Sequence, residues 1–160
     1  PFSYPRSMGE MVLYDRKHSE DVREIFNANM TWDGYHPLFP FGWGLSYTQF
    51  EYGEIQLDSK ILKGSDKLRV SILVKNTGSR DGKHTVELYS HDQYASITPS
   101  MKRLRAFQKI FLKAGESKTV NFTIDKNDLA FVNAQLKTVT EAGDFDLMIG
   151  NQKTSFTYQP

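Results

Sequence analysis

The chain's 160 residues carry 20 Lys plus Arg against 19 Asp plus Glu, a net charge of +1, which excludes a polyanion binder that works by bulk charge. This length suits one domain, or one domain plus a fragment of another, and it can bury roughly two thirds of the surface its unfolded form exposes. Zero cysteines exclude disulfides, a thiolate nucleophile and a Cys-based zinc site, and no run reaches the roughly 20 apolar residues of a membrane helix or the layout of a signal peptide. The chain begins at Pro1 rather than Met, as a processed or excised piece would.

Residues 1–34 read as an arm. Met11, Val12 and Leu13 suit one short strand, and Ser19 through Asn27 suit a helical turn or two from a Ser N-cap, but neither has a partner element nearby in sequence. Such an arm is expected to be partly disordered, or to be captured by a sheet edge or a second molecule. Residues 35–48 follow as a linker. From Gly34 to Gly44, two prolines and three glycines forbid a regular element while four aromatics, joined by Tyr47 just beyond, demand cover.

Residues 49–160 have a period of two. Phe50, Tyr52 and Leu57 mark a first strand, and Leu68, Val70, Ile72 and Val74 alternate with Arg69, Ser71, Leu73 and Lys75, which predicts a strand with one face in the core. The turn Asn76-Thr77-Gly78-Ser79-Arg80-Asp81-Gly82 ends it. Val86 and Leu88 continue, with Glu87, Tyr89 and His91 on the other face. Leu104, Phe107, Ile110 and Leu112 break strict alternation, so a bulge is predicted there. After the turn Ala114-Gly115-Glu116 come Val120, Phe122 and Ile124, then Leu129 with Phe131, Leu136 to Thr140, Phe145 with Leu147 and Ile149, and Phe156 with Tyr158. Seven or eight short strands, spaced roughly 8 to 12 residues apart with no long helix, define an all-β, two-sheet sandwich.

The candidate chemistry is sparse. Asp144 and Asp146, with Glu141 nearby, are the best carboxylate pair, but alternation sets both opposite Phe145 and Leu147, and a solvated outer face explains them. His18 and His84 lack the further ligands of a metal site, and Asp125-Lys126-Asn127-Asp128 lacks the Gly and terminal Glu of a calcium loop and reads as a turn. No cofactor is implied. Lys102, Arg103, Arg105, Lys109, Lys113 and Lys118 face only Glu116. Without interleaved stacking aromatics they indicate a solubilising surface or a contact with an acidic neighbour, not a nucleic-acid site. Two sequons, Asn29-Met30-Thr31 and Asn121-Phe122-Thr123, matter only in a glycosylating compartment. The linker stands out more. Tyr35, Phe39, Phe41, Trp43 and Tyr47 would expose a large apolar patch if nothing covered them. They suit either a sugar-stacking platform or a wedge that docks on a neighbouring domain, and the stiff prolines favour docking.

The order of motifs carries a resemblance. Pro40-Phe41-Gly42-Trp43-Gly44-Leu45-Ser46-Tyr47-Thr48-Gln49-Phe50 resembles the Pro-Phe-Gly-Tyr-Gly-Leu-Ser-Tyr-Thr-x-Phe signature that opens the C-terminal fibronectin type III-like domain of glycoside hydrolase family 3, typified by β-glucosidases. In order there follow Val74-Lys75-Asn76-Thr77-Gly78 with Asp81-Gly82, Glu87-Leu88-Tyr89, Lys102-Arg103-Leu104-Arg105-Ala106-Phe107, Phe111 through Ser117, Asp128-Leu129-Ala130-Phe131, and Gly143-Asp144-Phe145 through Gly150. Each is similar to a family motif. Ala106 and Ala114 stand where the family has Gly and Pro, Ser100 follows Pro99 where an Arg-Pro pair is usual, and a Trp common near Thr138 is absent. Upstream, Tyr4-Pro5-Arg6-Ser7-Met8-Gly9-Glu10 is similar to the end of the family's preceding α/β domain, which makes the arm a remnant of it.

The resemblance implies an immunoglobulin/fibronectin type III-like sandwich that serves a periplasmic or secreted enzyme hydrolysing terminal β-D-glucosyl residues. In the family the nucleophile lies on a barrel domain and the acid/base usually on the second domain, so no catalytic residue is carried over. The expected partners are the preceding catalytic domains and, on the sugar-stacking alternative, a carbohydrate; no nucleic acid and no membrane are expected.

Overall fold

In the computed structural model, which describes residues 3–6, 8, 38–39 and 43–160, the strands are β1 (Phe50–Tyr52), β2 (Gln56–Leu57), β3 (Ile61–Lys63), β4 (Leu68–Asn76), β5 (Gly82–Asp92), β6 (Arg103–Leu112), β7 (Ser117–Ile124), β8 (Phe131–Val132), β9 (Thr138–Val139), β10 (Gly143–Ile149) and β11 (Gln152–Gln159). One short helix, α1 (Lys126–Leu129), precedes β8. The chain divides into two compact units, Pro1–Leu45 and Ser46–Pro160, and all of these elements belong to the second. Of the N-terminal arm, only residues 3–6 and 8 are described. The strand read at Met11 to Leu13, the helical turn at Ser19 to Asn27, His18 and the Asn29 sequon lie outside the described residues.

The second unit is all-β, two sheets facing across one core. In the first sheet β4 is central: β7 pairs antiparallel along one edge, from Leu68↔Ile124 to Lys75↔Ser117, and β1 and β2 share the other. The second sheet runs β3-β11-β10-β5-β6, all antiparallel except β3, which lies parallel to β11. Alternation does what it predicts: Leu68, Val70, Ile72 and Val74 are buried on β4, and they meet Val86, Leu88, Leu112, Phe145, Leu147 and Ile149 from the opposite sheet. Stacked at 5.6 Å, the rings of Phe145 and Phe156 fill the middle.

Two elements differ from the sequence reading, and a third agrees with it. The run Phe50 to Leu57 is two short strands, because Gly53 interrupts it, although the Gly53 N–H still reaches Leu73 O at 2.9 Å. Asp125 to Asp128 is more than a turn. Asp125 caps α1, accepting from Asn127 N at 2.8 Å while its own N–H donates to Asp128 Oδ2 at 2.8 Å, a reciprocal capping box that seats Leu129 in the core. The bulge in β6 is present, and its cause is visible in the register: Leu88 faces Ala106 but Tyr89 faces Leu104, which leaves Arg105 as the extra residue.

Asp146 is the correction with energetic content. It does lie on the outer face of β10, but it is 3% exposed rather than solvated. Neighbouring side chains cover it: Lys153 Nζ at 2.8 Å, Ser155 Oγ at 2.7 Å and Gln93 Nε2 at 3.1 Å. Burial pushes its carboxyl up, yet the bonds from Lys153, Ser155 and Gln93 and the Lys153 charge outweigh that and hold it below the usual 3.8. A folded-state value below the unfolded one gives stability that is full above the unfolded value and is lost as pH falls through the folded one. Asp146→Asn should therefore cost about 1 to 2 kcal/mol at neutral pH. The gap between variant and wild type in urea midpoint should narrow as pH drops below 4, whereas a gap independent of pH would show that the charge contributes nothing. Asp144 stays exposed, accepting from Thr157 Oγ1 at 2.6 Å.

Candidate docking site

Of the five linker aromatics, the structure describes Phe39, Trp43 and Tyr47; Tyr35 and Phe41 lie outside the described residues. Phe39 and Trp43 belong to the first unit and come together, ring centroids 4.3 Å apart at 34°. A backbone bridge holds this pair: Tyr4 N donates to Phe39 O at 2.8 Å and Leu38 N to Tyr4 O at 2.8 Å, which sets the Tyr4 ring 6.1 Å from Phe39. Tyr4 is thus a ring partner that sequence reading missed, because only the pairing of distant segments shows it. Trp43 remains 50% exposed and Phe39 37%. Tyr47 belongs to the second unit, where it is 93% exposed.

Immediately after Tyr47 the chain is pinned. Thr48 is buried and its Oγ1 donates to Asn76 Oδ1 at 2.6 Å. Asn76 is fully buried, and every polar atom of its amide is used: Oδ1 also accepts from Gly78 N at 3.1 Å, and Nδ2 donates to Arg80 O at 2.7 Å and Leu112 O at 3.2 Å. Its backbone takes part as well, N–H to Glu116 O at 2.9 Å and C=O from Gly115 N at 3.0 Å. Two glycines permit this closeness. A Cβ on Gly78 would collide with Thr48 Oγ1 and stand 2.9 Å from Gln49 N, and one on Gly82 would stand 2.6 Å from Thr48 Cγ2. This latch ties the entry of the second unit to the β4–β5 and β6–β7 turns, so Tyr47 leaves from a fixed point.

Elsewhere the polar groups have structural explanations. His84 stacks on Phe50 at 4.4 Å and its Nε2 meets the Tyr52 hydroxyl at 2.5 Å. Burial lowers the imidazole's affinity for protons, with Glu87 opposing, and burial with the Glu87 charge pushes the Tyr52 phenol up to about 12. A cavity of about 190 Å³ lies beside Ser90, Asp92, Arg103, Arg105, Leu129 and Phe131. There Arg105 Nε donates to Ser90 Oγ at 2.6 Å, and burial, aided by Arg103, brings its guanidinium down to about 10. Among the described residues no group of three His, Asp or Glu side chains is placed to hold a metal ion, and no helix is long and apolar enough to cross a membrane.

The fold and these latches define a sandwich of the fibronectin type III-like class, and the sequence profile of the fibronectin type III-like domain matches residues 84–153. The chain is 37% identical over 156 residues to a periplasmic β-glucosidase of Salmonella typhimurium, covering 94% of this chain and 20% of that protein. It is 47% identical over 118 residues to thermostable β-glucosidase B of Acetivibrio thermocellus, covering 73% of this chain and 16% of that one. A β-glucosidase from Listeria innocua, solved in complex with gluconolactone, superposes with a TM-score of 0.84 at 30% identity over 99% of this chain and 23% of its own. The chain therefore belongs with the fibronectin type III-like domains carried by family 3 β-glucosidases and β-xylosidases. It spans about a fifth of the length of such relatives.

Proposed function

We propose that this chain is a non-catalytic, C-terminal accessory domain of a family 3 β-glucosidase that hydrolyses terminal β-D-glucosyl residues, and that it stabilises the catalytic domains by docking on them. The observation that carries the reading is the match to β-glucosidases over only 20% of a relative's length by a sandwich whose carboxylate pair is committed to its own strands: Asp144 to Thr157, Asp146 to Lys153 and Ser155. Tyr35, Phe39, Phe41, Trp43 and Tyr47 form the wedge, and the arm of residues 1–34 is the remnant of the preceding domain. The parent is periplasmic or secreted, in keeping with the Salmonella relative's name. Incubated with an aryl β-glucoside, the chain alone should release no aglycone; turnover that rises with its concentration would end the reading.

A second reading has one observation in its favour. Half of the Trp43 surface is exposed beside Phe39, and an exposed aromatic face can stack on a pyranose. Titration with soluble glucans separates the two, because a carbohydrate-binding module would shift Trp43 fluorescence at millimolar sugar and a docking wedge would not.

A further inference from the structure

The outer face of β6 carries apolar surface that the domain itself does not cover. Ile110 and Leu112 point into the core, so pleating sends Phe107, Lys109 and Phe111 outward. The bulge returns Leu104 to that same outer face, opposite Tyr89. Phe107 is 67% exposed, Phe111 49% and Leu104 46%. β6 ends the sheet order, so this stripe lies on an edge strand ten residues long, a place where folded proteins ordinarily avoid large apolar side chains. Three neighbouring side chains of this size make one contiguous apolar patch rather than single scattered residues.

Charge identifies the occupant. Lys83 lies opposite Phe111, Lys109 lies between the two phenylalanines, and Lys102 sits 5.0 Å over the Tyr89 ring. The carboxylate directly across from the stripe is Glu87, opposite Phe107, whose Oε2 already accepts from Tyr89 OH at 2.7 Å, and Asp146, further along the same outer face, is taken up by Lys153. A second copy packed on this stripe by two-fold symmetry would set the same lysines against each other, which disfavours self-association. An acidic surface with an apolar centre complements it. Four fifths of a relative such as the Salmonella enzyme lies outside the matched part, so a partner in the same polypeptide is at hand.

We propose that Leu104, Phe107 and Phe111 on the outer face of β6, rimmed by Lys83 and Lys109, form a docking surface for an acidic, apolar-centred patch on the catalytic part of the parent enzyme. The proposal rests on the accessory-domain reading above and adds to it a contact face on the sandwich itself.

Hydroxyl-radical footprinting with mass spectrometry tests it on two samples, this chain alone and the intact enzyme that carries it. Phe107 and Phe111 should be oxidised at least fivefold more slowly in the intact enzyme, while Tyr94 and Leu136, exposed elsewhere on the domain at 83% and 87%, keep their rates. Equal rates for Phe107 in both samples would overturn the proposal. So would protection in the chain alone that rises with its concentration, the mark of a second copy. The paired substitution Phe107→Asp, Phe111→Asp should lower the unfolding midpoint of the intact enzyme by several degrees and leave that of the chain alone unchanged; equal losses in both would mean that the side chains act only within the sandwich. Deleting residues 46–160 from the intact enzyme tests the accessory reading separately. If deletion destabilises the enzyme but β6 is unprotected, that reading stands and this face falls.

Discussion

Asn76→Ala should destabilise the Ser46–Pro160 unit by about 3 to 5 kcal/mol, well beyond the usual effect of an exposed turn substitution. The asparagine is fully buried, and truncation orphans four groups at once: the Thr48 hydroxyl, the Gly78 N–H, and the carbonyls of Arg80 and Leu112. Thr48 and Leu112 are buried, so water does not reach their orphaned groups, whereas Gly78 and Arg80 lie on the more open turn and recover part of their loss from solvent. Urea unfolding monitored by circular dichroism measures the loss, which should appear as a shifted midpoint with an unchanged slope. Asn76→Asp separates bonding from shape, since it keeps the acceptors for Thr48 and Gly78 but removes both donors and buries a charge. It should be no better than alanine at neutral pH and should recover some stability in acid, when the carboxyl is protonated. A loss below 1 kcal/mol for the alanine variant would show that the latch is ornamental and that the sheets alone hold the entry segment.

What could be read from the sequence, and what could not, divides along the same line. Alternation at Leu68 to Val74, Val120 to Ile124 and Phe145 to Ile149 specifies face and partner layer locally, so the sandwich was legible. The break in alternation near Leu104 likewise signalled the bulge that the register confirms. Partner choice over long separations was not legible. Thr48 reaches Asn76 across 28 positions, and β3 finds β11 in parallel without any turn to announce it. Asp146 shows the limit of a face argument: period two puts it on the outer face correctly, but burial depends on whether Lys153, Ser155 and Gln93 close over it. The linker aromatics were visible as a composition anomaly, whereas the pairing of Phe39 with Trp43 depends on the distant bridge to Tyr4. The stripe on β6 was present in the sequence as Leu104, Phe107 and Phe111, but there its irregular spacing indicated only a bulge.

Gly78→Ala tests why the signature around Tyr47-Thr48 and the Asn-Thr-Gly turn occur in one chain. The added methyl meets Thr48 Oγ1, and relief by rotating that side chain is incomplete because Gln49 N and Thr48 Cα, both backbone, lie only 2.9 and 3.1 Å from the new carbon. Overpacking plus the strained Thr48–Asn76 bond should cost about 2 to 4 kcal/mol. Thr48→Ala alone should cost less, about 1 to 2 kcal/mol, because Asn76 Oδ1 keeps its bond from Gly78 N. Combining the two distinguishes a steric latch from two independent weak points. In a latch, removing the hydroxyl relieves part of the methyl's clash, so the double variant is less destabilised than the sum by about 1 kcal/mol, yet remains less stable than Thr48→Ala because the backbone contacts persist. Additive losses would mean that the turn and the entry segment do not hold each other. Tyr47 would then leave the sandwich from a loose end rather than a fixed one, and a wedge built on it could not set the angle of a neighbouring domain.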